Sequence, residues 1–512
     1  MAKPCCESGH GADVRIFANG KIPVSSLARQ QAGRAARLAG VVHALGMPDI
    51  HAANSGMPNG FVLATQDTIF PKAIGGDINC GMSLFATGLH SNDIGGVDDI
   101  RSTMQRVAAA VNLGGKTNTI TLTPADLDLV LARGVAALPD LSTATRSAHA
   151  VWDSITPDFI AAQQQRMEHG GSLLGDVGAV PSSARRNGQR QLGTVGDGNH
   201  FVEMQRVHRV LDESAAAVLG LARSEITIMI HTGSRGLGHA VGDHFFQMAR
   251  GLGMRNGLAT SIKDVYPLAM NTAPGDAYLG AMRAAANFAY VNRLLIGALV
   301  MNILRDEFSD LATALVYDVS HNMVHQETHD GQELVVHRKG ATRAFGADRM
   351  QGTVFAAGGQ PVLIPGSMGT ASYVALGKSG NDRSLASVNH GAGRRLSRSE
   401  AMGVRTTVDE TWDDGAAEHR ARSISDREFE KSMRGIALVT ADQITAERVA
   451  EKKRWQREAR GALPPARKKG ISRIKGEAPQ AYKDIHEVMD VVFDEGLATG
   501  VVELRPIGVI KE

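Results

Sequence analysis

The sequence predicts an α+β fold: one large mixed domain, with central β-sheets flanked by helices and helical insertions. Three observations carry that prediction. Short apolar runs recur, each feeding a polar, glycine-containing turn: FVEMQRV at 201–207, ITIMI at 226–230, ALVYDV at 314–319 and PVLIP at 361–365. Residues 98–185 instead hold helical patterns, at 99–112, 123–138 and 155–170. The stretch 277–308 is apolar on more than one face, which suits helices buried in a core, here a helix pair. A further helical spacing covers 24–46, and a glycine-rich region punctuated by proline follows to residue 82.

The 512 residues would suffice for several domains. No repeat, low-complexity tract or clean linker divides them, so residues 1–512 are expected to form one domain with a helical insertion around 98–185. Lys and Arg total 55 against 53 Asp and Glu, and a net charge of +2 gives no global signal for a polyanion. Positive charge for such a partner must be local, and the strongly basic segment 451–475 is one source. Three cysteines (Cys5, Cys6 and Cys80) make no paired framework, which predicts a reducing, cytoplasmic compartment. The N-terminal residues lack an apolar signal region, and no run of 18 apolar residues predicts a membrane span.

The chemistry concentrates in a few segments. In GGDINCGM, Asp77 and Cys80 lie three apart among glycines. A carboxylate and a thiolate this close can ligate one metal ion, or two where the sulfur bridges; a lone cysteine is otherwise a small buried hydrophobe. His200 in GDGNHFVEM, His231 in MIHTGSRGLGH and His321 in VYDVSHNMVH share a setting of apolar run and small or amide neighbours. Together with Asp77 and Cys80 they point to an N/O/S metal cluster. A rival arrangement is the four-residue recurrence of His321, His325 and His329, a stripe on one face if the segment is helical.

His390 precedes Gly391, Ala392 and Gly393, then Arg394 and Arg395. Small residues expose amides that can cradle phosphate, and a histidine beside such a nest can attack phosphorus. PGSMGTASY, from Pro365 through Gly366, Ser367 and Met368 to Ser372, repeats the theme without being a Walker loop. His337, Arg338, Lys339 and Arg343 in HRKGATRAF form a compact basic group suited to phosphate or an RNA backbone.

These segments, with the terminal ELRPIGVIKE, resemble the RtcB family of RNA-splicing ligases, in the family's order from about residue 48 onward. The resemblance implies an RtcB-like fold and a pair of Mn2+ ions held by Asp77, Cys80, His200, His231 and His321, with Cys80 bridging. It implies that His390 is guanylylated by GTP, and that Asn199, Glu203, Asn322, the Pro365, Gly366, Ser367, Met368 and Ser372 segment, the Gly391, Ala392 and Gly393 turn and Lys511 contact the guanine nucleotide. The implied partners are RNA ends: a 3′-phosphate or 2′,3′-cyclic phosphate and a 5′-hydroxyl, with a helper protein for turnover as a further expectation. Metal-dependent phosphoesterase action without ligation, and RNA binding without catalysis, are the competing readings. The chain departs from the family's usual pattern in PDIHAANSGMPNGF: Asp49, His51, Gly56 and Gly60 remain, but the residues between are unusual.

Overall fold

Four of the predicted apolar runs enter one eight-stranded sheet. The computed structural model describes residues 11–111, 113, 120–308, 311–402, 424–440 and 474–511. Cys5, Cys6 and nearly all of the basic segment 451–475 lie outside the described residues. The sheet runs Pro361–Ile364, Ser372–Gly377, Ala498–Lys511, Phe201–Val210, Glu225–Thr232, Gly81–His90, Ala314–Ser320, with Ala437–Thr440 added beside Ala498–Lys511. Neighbours are antiparallel except that last pair. Glu225–Thr232 is buried at every position, which explains its unbroken apolar reading.

The helix Ala273–Glu307 runs through the main core. It is one helix of 35 residues, not the expected pair. Its only proline lies in the first turn, where proline is tolerated, so nothing inside the stretch breaks it. It is long and apolar enough to cross a membrane, but its apolar window is wholly buried inside the protein.

A second sheet has five strands, Val14–Ile16, Val41–His51, Asn59–Thr65, Gln332–Lys339 and Asn322–His329 in that order. Two expectations change here. The 24–46 spacing holds only for the helix Ser26–Ala36, capped by the Ser25 hydroxyl. Gly40, at φ 79°, then turns the chain, and the β-branched pair Val41 and Val42 opens a strand. The His321, His325, His329 stripe is not helical, because Asn322–His329 is a strand of this sheet. At the strand rise of about 3.3 Å per residue, those histidines diverge instead of sharing one ion.

Among the described residues between 97 and 188, the helices Val97–Ala110, Pro124–Arg133, Thr143–Arg146, Pro157–Gln164 and Ser182–Gly188 are interspersed with 3-10 turns. A two-stranded ladder pairs Ala341–Arg343 with Ser387–Asn389 and carries the chain into His390.

Candidate metal centre and nucleotide pocket

Register alone brings four of the predicted donors to one end of the large sheet. Gly81 pairs with Thr232 on one side and with Ser320 on the other, and Phe201 pairs with His231. Cys80, His200 and His321 each sit one residue from those paired positions, so three strand ends and His231 converge. Cys80 Sγ lies 3.3 Å from His200 Nε2 and 3.3 Å from His231 Nε2. His231 Nε2 is 3.2 Å from His321 Nε2, and Asp77 Oδ2 is 3.0 Å from His200 Nε2. These atoms form two triplets, Asp77, Cys80, His200 and Cys80, His231, His321, each within 4.8 Å and sharing the one sulfur.

The turn carrying Asp77 and Cys80 is fixed from beneath by Arg293, which is fully buried. Its guanidinium donates to Asn79 O at 2.8 Å, to Asn79 Oδ1 at 3.0 Å and to Thr232 O at 3.1 Å. Its charge is matched by Asp318 at 2.6 and 2.8 Å. Asn79 takes a left-handed φ of 53°, a strained setting that these bonds stabilise. Arg235, also left-handed, donates to His200 Nδ1 at 3.2 Å.

The electrostatics of the cluster are those of donors without a counter-charge. Burial holds His231 and His321 well below the usual imidazole range, with the neighbouring histidines adding to the effect, so both are neutral with lone pairs free. Burial and the adjacent Asp77 push the Cys80 thiol up. Burial would also raise Asp77, but the hydrogen bond and charge of His200 outweigh it and keep the carboxyl ionised. Asp77 Oδ1, His231 Nδ1 and His321 Nδ1 are buried without a hydrogen-bond partner. Mixed carboxylate, thiol and imidazole donors in this state fit divalent transition-metal ions, which would pull the thiol proton off on binding.

His390 lies against this cluster, its ring centroid 4.9 Å from that of His321. Its Nδ1 donates to the buried Asp49 Oδ2 at 2.6 Å. That leaves Nε2 as the ring nitrogen outside this bond. Gly393, at φ 74°, and Gly60, at φ 69°, close over Asp49, and a side chain at either would strike it.

A pocket opens beside His200 and His390's loop. Asn199, Glu203, Pro365, Gly366, Ser367, Met368, Ser372 and Lys511, all predicted from the sequence, line it. So do Phe201, Tyr482 and Val509, which the sequence did not single out. Burial raises Glu203 to about 8, opposed by Gln205 and Lys511. Asn199 Oδ1 accepts from Tyr482 Oη at 3.1 Å and from Lys511 Nζ at 3.5 Å. Lys511 ends the strand Ala498–Lys511 and is buried, so the penultimate residue is firmly placed.

Other predicted residues are placed differently. Asn322 lies outside the pocket lining: its Nδ2 donates to Asp77 O at 3.2 Å and its Oδ1 accepts from Gly340 N at 2.8 Å. In the Gly391, Ala392 and Gly393 turn, the Ala392 amide is already donated to Pro365 O at 3.1 Å. Arg394 is engaged by Glu477 at 3.2 Å and Tyr482 at 3.0 Å instead of standing free for phosphate. The HRKGATRAF group is not a phosphate-facing patch. His337, Arg338 and Lys339 are buried and Arg343 nearly so: their strand is covered on both faces, Glu327 and Glu168 pair with Arg338 and Arg343, and Lys339 donates to Met57 O and Asn59 Oδ1. Asp49 and Arg235 lay within quoted motifs, whereas Phe201, Tyr482 and Val509 carry no sequence signal of a ligand contact.

Two donor triplets sharing one sulfur, an imidazole bonded to a buried carboxylate and a small polar pocket beside them define an enzyme site. The chain is matched by the family model described as tRNA-splicing ligase RtcB over residues 31–434 and 440–512. It is 35% identical to the RNA-splicing ligase RtcB of Mycobacterium bovis, covering 93% of this chain and 98% of that one. It is 34% identical to the tRNA-splicing ligase RtcB of Thermococcus kodakarensis, over 94% of this chain and 90% of that one. The corresponding protein of Methanococcus maripaludis is 32% identical, over 92% and 88%. The chain belongs to the RtcB family of RNA-splicing ligases.

Proposed function

We propose that the chain is a cytoplasmic, GTP- and manganese-dependent RNA ligase, a single domain over 1–512. It joins an RNA 3′-phosphate or 2′,3′-cyclic phosphate end to a 5′-hydroxyl end through a histidine–GMP intermediate. The observation that carries this reading is His390: its Nδ1 is bonded to Asp49 and its ring lies tilted against that of the His321 donor, centroids 4.9 Å apart. With Nδ1 taken by Asp49, Nε2 is the ring nitrogen left to act as nucleophile.

Asp77, Cys80 and His200 would hold one manganese ion, and Cys80, His231 and His321 a second. Bound there, manganese would neutralise phosphate oxygens. His390 Nε2 attacks the α-phosphorus of GTP; the P–N bond forms as the bond to pyrophosphate breaks. Glu203 takes the polar edge of guanine, and the Pro365–Ser372 backbone, Asn199 and Lys511 hold the nucleotide. The RNA 3′-phosphate then takes the guanylyl group, freeing His390. The 5′-hydroxyl attacks the activated end and GMP leaves; a cyclic phosphate is opened first. The basic segment 451–475 contacts RNA phosphates, so removing its Lys and Arg residues is expected to weaken RNA binding and flatten its salt dependence.

Incubation with labelled GTP and manganese tests the reading. Covalent label on the wild type and none on His390→Ala is expected, with metal content unchanged. An unlabelled wild type, with cyclic phosphates still opened, would favour a phosphoesterase; label persisting on the variant would move the nucleophile elsewhere.

A further inference from the structure

Behind the donor cluster lies a second group of buried charges that the proposed reaction does not use. Glu168, Glu327, Arg338 and His325 are buried and Arg343 is nearly so. Glu168 reaches in two directions. Its Oε2 accepts from the Ser320 amide at 3.0 Å and from the Ser320 hydroxyl, at the end of the strand that leads into His321. Its Oε1 lies 3.1 Å from Arg343 Nε. Arg343 belongs to the ladder in which Ala341 faces Asn389, the residue before His390. Arg338 clamps the same ladder from another side, donating to Ser387 Oγ and Leu385 O at 2.9 Å while holding both oxygens of Glu327 at 2.8 and 2.9 Å.

Glu168, His169 and His325 also bring donor atoms within 4.8 Å of one another. A cation there would have to displace Arg343 from Glu168 Oε1, and Arg338 already donates to His325 Nδ1 at 3.1 Å. The guanidinium groups supply the positive charge that an ion would bring, Arg343 facing Glu168 Oε1 as an ion pair without a hydrogen bond, and with that charge balance the group acts as a brace.

The geometry points to Glu168 as a positioning residue: holding Ser320 with one oxygen and Arg343 with the other, it sets the distance between His321 and His390. This rests on the guanylylation reading above. Attack on phosphorus is sensitive to that distance, since a misplacement of about 1 Å can cost about 100-fold.

Glu168→Gln keeps the size and an acceptor for Ser320 but removes the charge facing Arg343. Expected are manganese and GTP affinities within about threefold of wild type, and single-turnover labelling of His390 slowed roughly 30- to 100-fold. Sealing of RNA supplied with a guanylylated 3′ end bypasses attack by His390 and should fall less than about threefold. The double variant Glu168→Gln with Arg343→Met leaves no unpaired buried charge; it should fold where the single variant does not, and still label slowly. Wild-type labelling rates in either folded variant would overturn the inference. So would equal losses of metal binding, labelling and bypass sealing, which would mark a purely structural residue. An unlabelled wild type would instead overturn the proposed function, and this inference with it.

Discussion

In the cluster from Asp77 to His321, a thiol, a carboxylate and three imidazoles face one another at 3.0–3.3 Å, with one arginine at the His200 rim. In the network around Glu168 and Glu327, two carboxylates and two histidines meet two guanidiniums at close range. The residue types are nearly the same and both groups are buried. In the network the arginines, opposing burial, hold both glutamates well below the usual carboxylate range. In the cluster burial holds His231 and His321 neutral and pushes the Cys80 thiol up. One group carries its own counter-charges; the other is a set of donors open to cations from outside. A buried charge set becomes a brace or a binding site according to where its positive charge comes from.

The sharpest way to break this contrast is Cys80→Ala. If the sulfur belongs to both triplets, metal stoichiometry and guanylylation fall together, with labelling reduced by at least about 1,000-fold. Retained stoichiometry by elemental analysis would remove the bridging role. On the network side, Glu327→Gln leaves Arg338 facing a neutral partner and should cost about 3–5 kcal/mol of stability in denaturant titration. The folded fraction should keep its full metal content; parallel loss of metal would mean the two groups are not separable.

The pH dependence of stability sharpens the comparison through opposite signs at the nucleotide pocket. Glu203, raised by burial to about 8, contributes stability that is fully present below its unfolded value of about 4.5 and is lost as pH rises through about 8. Glu203→Gln should flatten the decline in stability between about pH 4.5 and about pH 8 measured without metal or nucleotide, by up to a few kcal/mol. Glu477 goes the other way. Burial would raise it, but Lys511, Arg394 and Arg398 bring it to about 2. Its contribution is present above about 4.5 and lost as pH falls through about 2, so Glu477→Gln should flatten the acid limb. Unchanged limbs in the two variants would mean neither carboxyl is perturbed as its surroundings imply. The smallest effect is expected from Tyr482→Phe, which removes a hydroxyl bonded to Asn199 and Glu477. GTP affinity should fall about 3- to 10-fold, near 1 kcal/mol, by calorimetry.

Much of the site was legible in the chain. Residues such as Cys80 and His231 stand in short segments whose glycines and apolar runs mark strand ends, and strand ends of one sheet are where side chains from distant segments meet. The stripe of His321, His325 and His329 misled because a four-residue interval suits a helix face, and an alternating strand gives the same interval on one side of a sheet. The basic HRKGATRAF run misled because charge counts do not reveal partners: Glu168 and Glu327 lie far from it or on another strand. The 277–308 stretch read as a core element correctly, but length and periodicity could not say whether it was broken once or not at all.

By itself the sequence determined the donor types, their order, the imidazole beside a glycine turn at 390–393 and the other glycine-rich loops, since these are properties of residues and their immediate neighbours. Only the tertiary structure decided that Asp49 orients His390, that Tyr482 and Phe201 wall the pocket, and that Glu168 ties the His321 strand to the His390 ladder. Those contacts come from sheet register and burial across long sequence separations, where a side chain's partner is fixed by packing and not by anything next to it in the chain.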